Sequence, residues 1–174
     1  FIIEFPKSFR SVTAEKVREL VKELSPEIQP VGVFVNASME LVTGLLNDGT
    51  LAAAQLHGQE DETYIRELKQ LSDKPIIKAF SVKTAEDIEK AVQSPADYIL
   101  LDQGSGGTGK TFDWSLIPEI ERPFFLAGGI GALNMKQAIY EIRPYAVDLS
   151  SSVETEKWKD PKKIRQVVDI VRRI

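Results

Sequence analysis

Short β-branched or aromatic runs alternate with amphipathic stretches along the whole chain, and this alternation limits the fold more than any other feature. The strand-like runs are residues 1–5 (FIIEF), 31–35 (VGVFV), 51–56 (LAAAQL), 75–80 (PIIKAF), 98–102 (YILLD), 124–128 (FFLAG) and 146–150 (AVDLS). Their near-continuous hydrophobicity suits parallel strands covered on both faces. Between them, Val17, Leu20, Val21 and Leu24 repeat at helical spacing, as do Leu41, Val42, Leu45 and Leu46. Further stripes follow at Ile65, Leu68 and Leu71, at Ile88, Ala91 and Val92, at Met135, Ala138, Ile139 and Ile142, and at Ile164, Val167, Val168 and Val171. Thr13, Ser38, Thr84 and Asp160 are placed to cap helix starts, and Pro161 sits where a missing N–H costs nothing.

Strict βα alternation without antiparallel punctuation predicts an α/β fold, either a doubly wound sheet or a (βα)8 TIM barrel. The strand ends decide between them. Nearly every run finishes in a chemically able residue: Lys7 and Arg10, Asn36, His57, Asp102, Gly128 with Gly129, and Ser150 with Ser151. A doubly wound sheet uses only the ends at its switch point, whereas a barrel gathers all of them at one mouth. The barrel is therefore expected. Seven runs are visible where eight are needed, so residues 1–174 read as a single TIM-barrel domain, N-terminally incomplete and starting at the barrel's second strand.

Composition narrows the chemistry. The chain contains no cysteine, which excludes a disulfide scaffold, a Cys-ligated metal and a thiol nucleophile from these residues. A net charge of −4 argues against a nucleic-acid surface, so an anionic ligand must find positive charge locally. No apolar run is long enough to cross a membrane, and no secretory signal pattern is present, so a cytoplasmic setting is expected.

Residues 104–111 (GSGGTGKT) match the phosphate-binding pattern G-x-x-x-x-G-K-[ST] and follow a strand. That pattern serves a nucleotide triphosphatase only where a helix opens directly behind it. Here FDWSLIPEIERPFF follows, with Pro118 and Pro123, so a Gly-rich loop over a barrel mouth is the better reading. Residues 127–130 (AGGI) and 150–154 (SSSVE) follow the last two runs, where barrel enzymes commonly hold a phosphate; two ordinary turns are the alternative. Asp102 ends the most hydrophobic run and is either an acid–base group or a cap for the next loop. To hold a proton near neutral pH, such a carboxyl needs burial or a neighbouring anion. His57, the only histidine, is either a pocket residue or surface packing. Arg10 could grip a carboxylate in two-pronged fashion, with Lys7 a point charge beside it; solvated loop charges are the alternative. The Lys/Glu runs around residues 60–69 and 157–163 read as solvated helix faces.

Taken together, the segments PKSFRSVT (6–13), VGVFVN (31–36), QLHG (55–58), IKAF (77–80), YILLD, GGTGKTFDW (106–114), FFLAGGI, RPYAVDLSSSVE (143–154) and KDPKKI resemble the phosphoribosylanthranilate isomerase family. The likeness runs in order along essentially the full chain, and GGTGKTFDW beside LAGG is its most specific part. It implies a TIM barrel and an Amadori rearrangement in tryptophan biosynthesis, with no metal and no organic cofactor. It implies that Asp102 is the general acid that protonates the furanose ring oxygen. Arg10 would grip the anthranilate carboxylate and His57 would line the aromatic end of the pocket. Gly128, Gly129, Ser150 and Ser151 would hold the phosphate, and Asp148 would lie near the ribose. The indole-glycerol-phosphate synthase barrel shares the phosphate loops but does not fit GGTGKTFDW.

Two departures carry consequences. Ser152 stands where the resembled family usually has glycine, a side chain that would narrow the phosphate pocket or tighten the turn. The family's general base is a cysteine in a Lys-Ile-Cys-Gly-type strand end, and no such residue occurs here. The expected activity is therefore severely reduced, with a non-catalytic phosphosugar-binding barrel fragment as the alternative function. The small-molecule partner is a phosphosugar, with neither nucleic acid nor membrane. Unpaired barrel edges predict a chain that is poorly stable or self-associated.

Overall fold

Parallel strands followed by helices recur through the computed structural model, which describes residues 1–103 and 113–174. The Gly-rich segment at 104–111 lies outside the described residues. The remainder falls into two units, residues 1–79 with 94–98 and residues 80–93 with 99–174.

In the first unit, β1 (Ile2–Ile3) is followed by β2 (Ser11–Val12), α1 (Ala14–Val21), β3 (Val31–Phe34) and α2 (Met39–Asn47). Then come β4 (Ala53–Leu56), α3 (Glu62–Leu71) and β5 (Ile76–Ser81), whose last two residues belong to the second unit. The sheet order is β2-β1-β3-β4-β5, all parallel. In-register pairs run from Val31 with Ala53 to Phe34 with Leu56, then from Ala54 with Ile76 to Leu56 with Lys78. Phe34, Leu45, Leu46, Leu56, Ile65 and Leu68 form the core between sheet and helices. The helices begin where side-chain oxygens accept orphan N–H groups: Thr13 from Lys16, Ser38 from Leu41, and Asp61 from Tyr64.

The second unit holds α4 (Ala85–Val92), β6 (Tyr98–Asp102, its first residue in the first unit), a 3-10 turn (Trp114–Leu116) and β7 (Phe124–Leu126). After β7 come α5 (Met135–Gln137), a π-helical turn (Ala138–Ile142) and β8 (Ala146–Val147). A second 3-10 turn (Ser151–Val153), β9 (Glu154–Thr155), β10 (Trp158–Lys159) and α6 (Pro161–Arg172) complete it. The strands β6, β7 and β8 are parallel neighbours. Ile88, Ile99, Leu101, Leu126 and Met135 fill this unit's core.

Four expectations are corrected. The first strand is two residues long, because Glu4 adopts a left-handed φ of 49° and Pro6 follows without an N–H. The chain then returns as β2, which the sequence did not announce. Ile2 pairs with Ser11 and Ile3 with Val12, so β1 is not a bare edge. Antiparallel punctuation does occur, as the β9–β10 hairpin. The stripe from Met135 to Ile142 is α-helical for three residues only and widens into a π turn that ends at Arg143, with φ 51°.

Candidate active site

In the second unit Asp102 terminates β6, and the end of β7 closes on it. Leu101 O accepts from Ala127 N at 2.9 Å, which brings Gly128 alongside. A Cβ at Gly128 would lie 2.9 Å from Asp102 Oδ1 and 2.9 Å from Gln103 N. Gly128 and Gly129 both carry positive φ, 83° and 70°, so two consecutive left-handed residues turn the chain sharply beside the carboxylate. Only a residue without a side chain permits that approach.

The two loops expected to hold phosphate meet. A Cβ at Gly131 would sit 3.0 Å from Ser152 Cβ, so the loop after β7 touches the loop after β8. Asn134 fixes the first of them: its Oδ1 accepts from Gly131 N at 2.8 Å and its Nδ2 donates to Gly129 O at 3.1 Å. Ser150 has φ −120° and ψ −86°, outside the helical and extended regions, and leads into the 3-10 turn that begins at Ser151. Asp148, one residue beyond β8, is anchored by its N–H to Leu126 O at 2.8 Å. The side chain of Ser152, where the family usually has glycine, is exposed, so it borders the Gly131 loop without filling its interior.

Lys159 was missed. On β10 its Nζ donates to Ser150 O at 2.9 Å and pairs with Glu154 Oε1 at 2.9 Å. It is a hairpin residue rather than part of a helix face, and it ties the hairpin to the backbone of Ser150. The hairpin that carries it left no recognisable turn signal in the sequence.

In the first unit Arg10 lies on the loop between β1 and β2. Its guanidinium rests over the Phe9 ring, 4.5 Å from the centroid. His57 directly follows β4, with its N–H on Phe34 O at 2.8 Å and its Nδ1 3.1 Å from Gln55 Nε2. Glu60 was expected to be solvated, but it is 7% exposed. Its Oε2 meets Lys78 Nζ at 2.8 Å and Gly58 N at 2.9 Å, and its Oε1 accepts from Asn36 N at 2.6 Å. Burial pushes the Glu60 carboxyl up, but the hydrogen bonds from Lys78 and the Asn36 amide outweigh it and hold the group below its ordinary value. Beneath the same loop, Tyr64 donates to Ala37 O at 3.1 Å. Burial, reinforced by the Glu60 and Glu40 charges, pushes its hydroxyl up to about 12.

Among the described residues no cluster of three or more His, Cys, Asp or Glu is arranged to hold a metal ion. No helix among them is long and apolar enough to cross a membrane.

Parallel βα units with His57 and Asp102 at or just past C-terminal strand ends fit the (βα)8-barrel class. The sequence profile of N-(5'-phosphoribosyl)anthranilate (PRA) isomerase matches residues 1–170. The chain belongs to this family of isomerases of tryptophan biosynthesis. It is 45% identical over 164 residues to the N-(5'-phosphoribosyl)anthranilate isomerase of Endomicrobium trichonymphae, covering 92% of this chain and 79% of that protein. A Bacillus cereus enzyme of the same name is 41% identical over 172 residues, covering 94% and 83%. The crystal structure of the Thermotoga maritima enzyme superposes with a TM-score of 0.88 at 36% identity, covering 99% of this chain and 87% of that one. A second structure, solved with reduced 1-(o-carboxyphenylamino)-1-deoxyribulose 5-phosphate, superposes with a TM-score of 0.85 at 34% identity, covering 99% and 86%.

Proposed function

We propose that this chain acts in the Amadori rearrangement of N-(5'-phosphoribosyl)anthranilate to 1-(2-carboxyphenylamino)-1-deoxyribulose 5-phosphate. The match of the family profile to residues 1–170 carries this reading. In it, Asp102 gives its proton to the furanose ring oxygen as the bond from that oxygen to C1' breaks, leaving a Schiff base. A base then takes the C2' proton, and the resulting enolamine relaxes to the ketone. Substrate and product are isomers, so no redox partner is consumed.

Gly128, Gly129, Ser150 and Ser151 hold the phosphate through backbone N–H and hydroxyl groups, and the Lys159 charge supports the same loop. Asp148 lies toward the ribose, Arg10 takes the anthranilate carboxylate and His57 borders the aromatic ring. The contact of the Gly131 and Ser152 loops and the closeness of Gly128 to Asp102 support the roles in the second unit. Cytoplasmic residence belongs to the same proposal and is supported by the biosynthetic role. So does self-association, supported by the outer edge of β2, which no described strand pairs.

The absence of cysteine favours a second reading, a barrel that binds the phosphosugar but turns it over slowly. Asp102→Asn separates the acid from a mere binding group. Turnover is expected to fall about 10²–10⁴-fold, while the reduced product analogue still binds within about twofold. Equal losses in turnover and binding would remove Asp102 from the acid role.

A further inference from the structure

One polar network in the first unit is buried. It lies under the loops that follow β3 and β4. Lys78, on β5, and Glu60, beyond β4, form an ion pair whose side chains are 7% and 2% exposed. A buried ion pair is a poor source of stability, since an apolar pair of the same volume often does as well. This one is instead fully engaged with backbone. Lys78 Nζ also donates to Gly58 O at 2.8 Å, so Gly58 is held at both its carbonyl and its N–H. Through Oε1 the Glu60 carboxylate holds the N–H of Asn36, which has a left-handed φ of 53°. Asn36 Oδ1 in turn accepts from Gln59 N at 2.6 Å. A Cβ at Gly58 would overlap the Asn36 side chain and its amide nitrogen, so nothing larger than glycine fits this junction. His57 is the residue immediately before the doubly held Gly58.

We propose that the Glu60–Lys78 ion pair is a positioning device that sets the place of His57 by clamping Gly58 and Asn36 behind it. The proposal deepens the reading of His57 as a wall of the anthranilate pocket, and rests on that reading for its functional consequence. Glu60 and Lys78 do not touch substrate. Their charges are used because a single carboxylate can accept from three donors on two loops and one β-strand at once, which no apolar pair can do.

Because His57 is the only histidine, the chain gives one imidazole Cε1–H cross-peak in a carbon–proton NMR spectrum, a direct report on its surroundings. The spectrum is recorded for the whole chain and for Glu60→Gln and Lys78→Met, alone and with the reduced product analogue, beside urea melts that establish folding. In both variants the free-state peak is expected to move from its wild-type position. Analogue affinity is expected to drop about tenfold, while affinity for inorganic phosphate stays within about twofold. Should either variant fail to fold, Glu60→Asp, which keeps the charge but withdraws it by one methylene, is measured in its place. Folded variants whose His57 peak and analogue affinity coincide with wild type would overturn the proposal. A wild-type peak that ignores the analogue would instead overturn the placing of His57 in the pocket, and the positioning role would then be judged by the free-state peak alone.

Discussion

Three glycines separate conformational need from habit. Gly44, in the middle of α2, faces open space, with nothing within 4 Å of an added Cβ. Gly44→Ala is expected to raise stability by about 0.5–1 kcal/mol in urea unfolding, since alanine gives up less backbone entropy in a helix. Gly128→Ala has the opposite sign. It forces a side chain into φ 83° and against Asp102, so a loss of about 1–3 kcal/mol is expected together with a displaced Asp102 carboxylate. At Gly58 the φ is not positive, but an added Cβ would overlap Asn36, so glycine is required there for steric reasons alone. These distinctions were not legible in sequence, where AGGI and HG look like any turn. Asp102, His57 and the serines could be singled out because each ends a hydrophobic run or sits one step past it. Glu60 could not: it follows His-Gly-Gln and precedes a helix start, the pattern of a solvated residue, and only the pairing of β4 with β5 brings Lys78 to it. The pair has a pH signature. The Glu60 carboxyl titrates below its ordinary value of 4.5, so its stabilising effect is complete above that value and is lost as pH falls through the lower folded value. The stability gap between wild type and Glu60→Gln should therefore be widest near neutrality and shrink under acid. A gap independent of pH would contradict this.

Helix positions were readable because apolar stripes and caps point the same way. Thr13, Ser38 and Asp160 each accept the N–H bonds their spacing suggested. Ser38→Ala should cost about 1 kcal/mol in thermal or urea unfolding, and Ser38→Asp should restore most of it. Strand ends were harder. The run at 98–102 matches β6 residue for residue, whereas the runs at 1–5 and 146–150 shrink to two residues each. Hydrophobicity marks what is buried, but ladder pairing stops where backbone geometry turns, at Glu4 in the first case. The π turn at 138–142 illustrates the same limit: its apolar spacing fits an α-helix, yet the chain takes a wider turn before the left-handed Arg143. In α6 the apolar stripe is only partly used. Val167 is buried, while Ile164, Val168 and Val171 remain between 38% and 44% exposed. Self-association, proposed above through the sheet edge, is a separate matter from this face. A dimer or larger species on size-exclusion chromatography would agree with that proposal, and a monomer with a single cooperative melt would oppose it.

For the molecule as a whole, the class of fold followed from the succession of strands and helices, and the family from motifs spread along its length. The cysteine that the family resemblance makes the general base is not among these 174 residues. In the proposed mechanism general acid and general base steps would each contribute about 10²–10⁴-fold, so the proposed acid without a base would give up one such factor. The most direct measurement is isomerisation by this chain after a βα segment whose strand ends in a Lys-Ile-Cys-Gly-type sequence is joined ahead of Phe1. Measurable turnover is expected, reduced about 10²–10⁴-fold when that cysteine is made serine and again when Asp102 becomes asparagine. A folded joined chain that binds the reduced product analogue yet shows no turnover with the cysteine in place would contradict the assignment of these residues to the isomerase reaction.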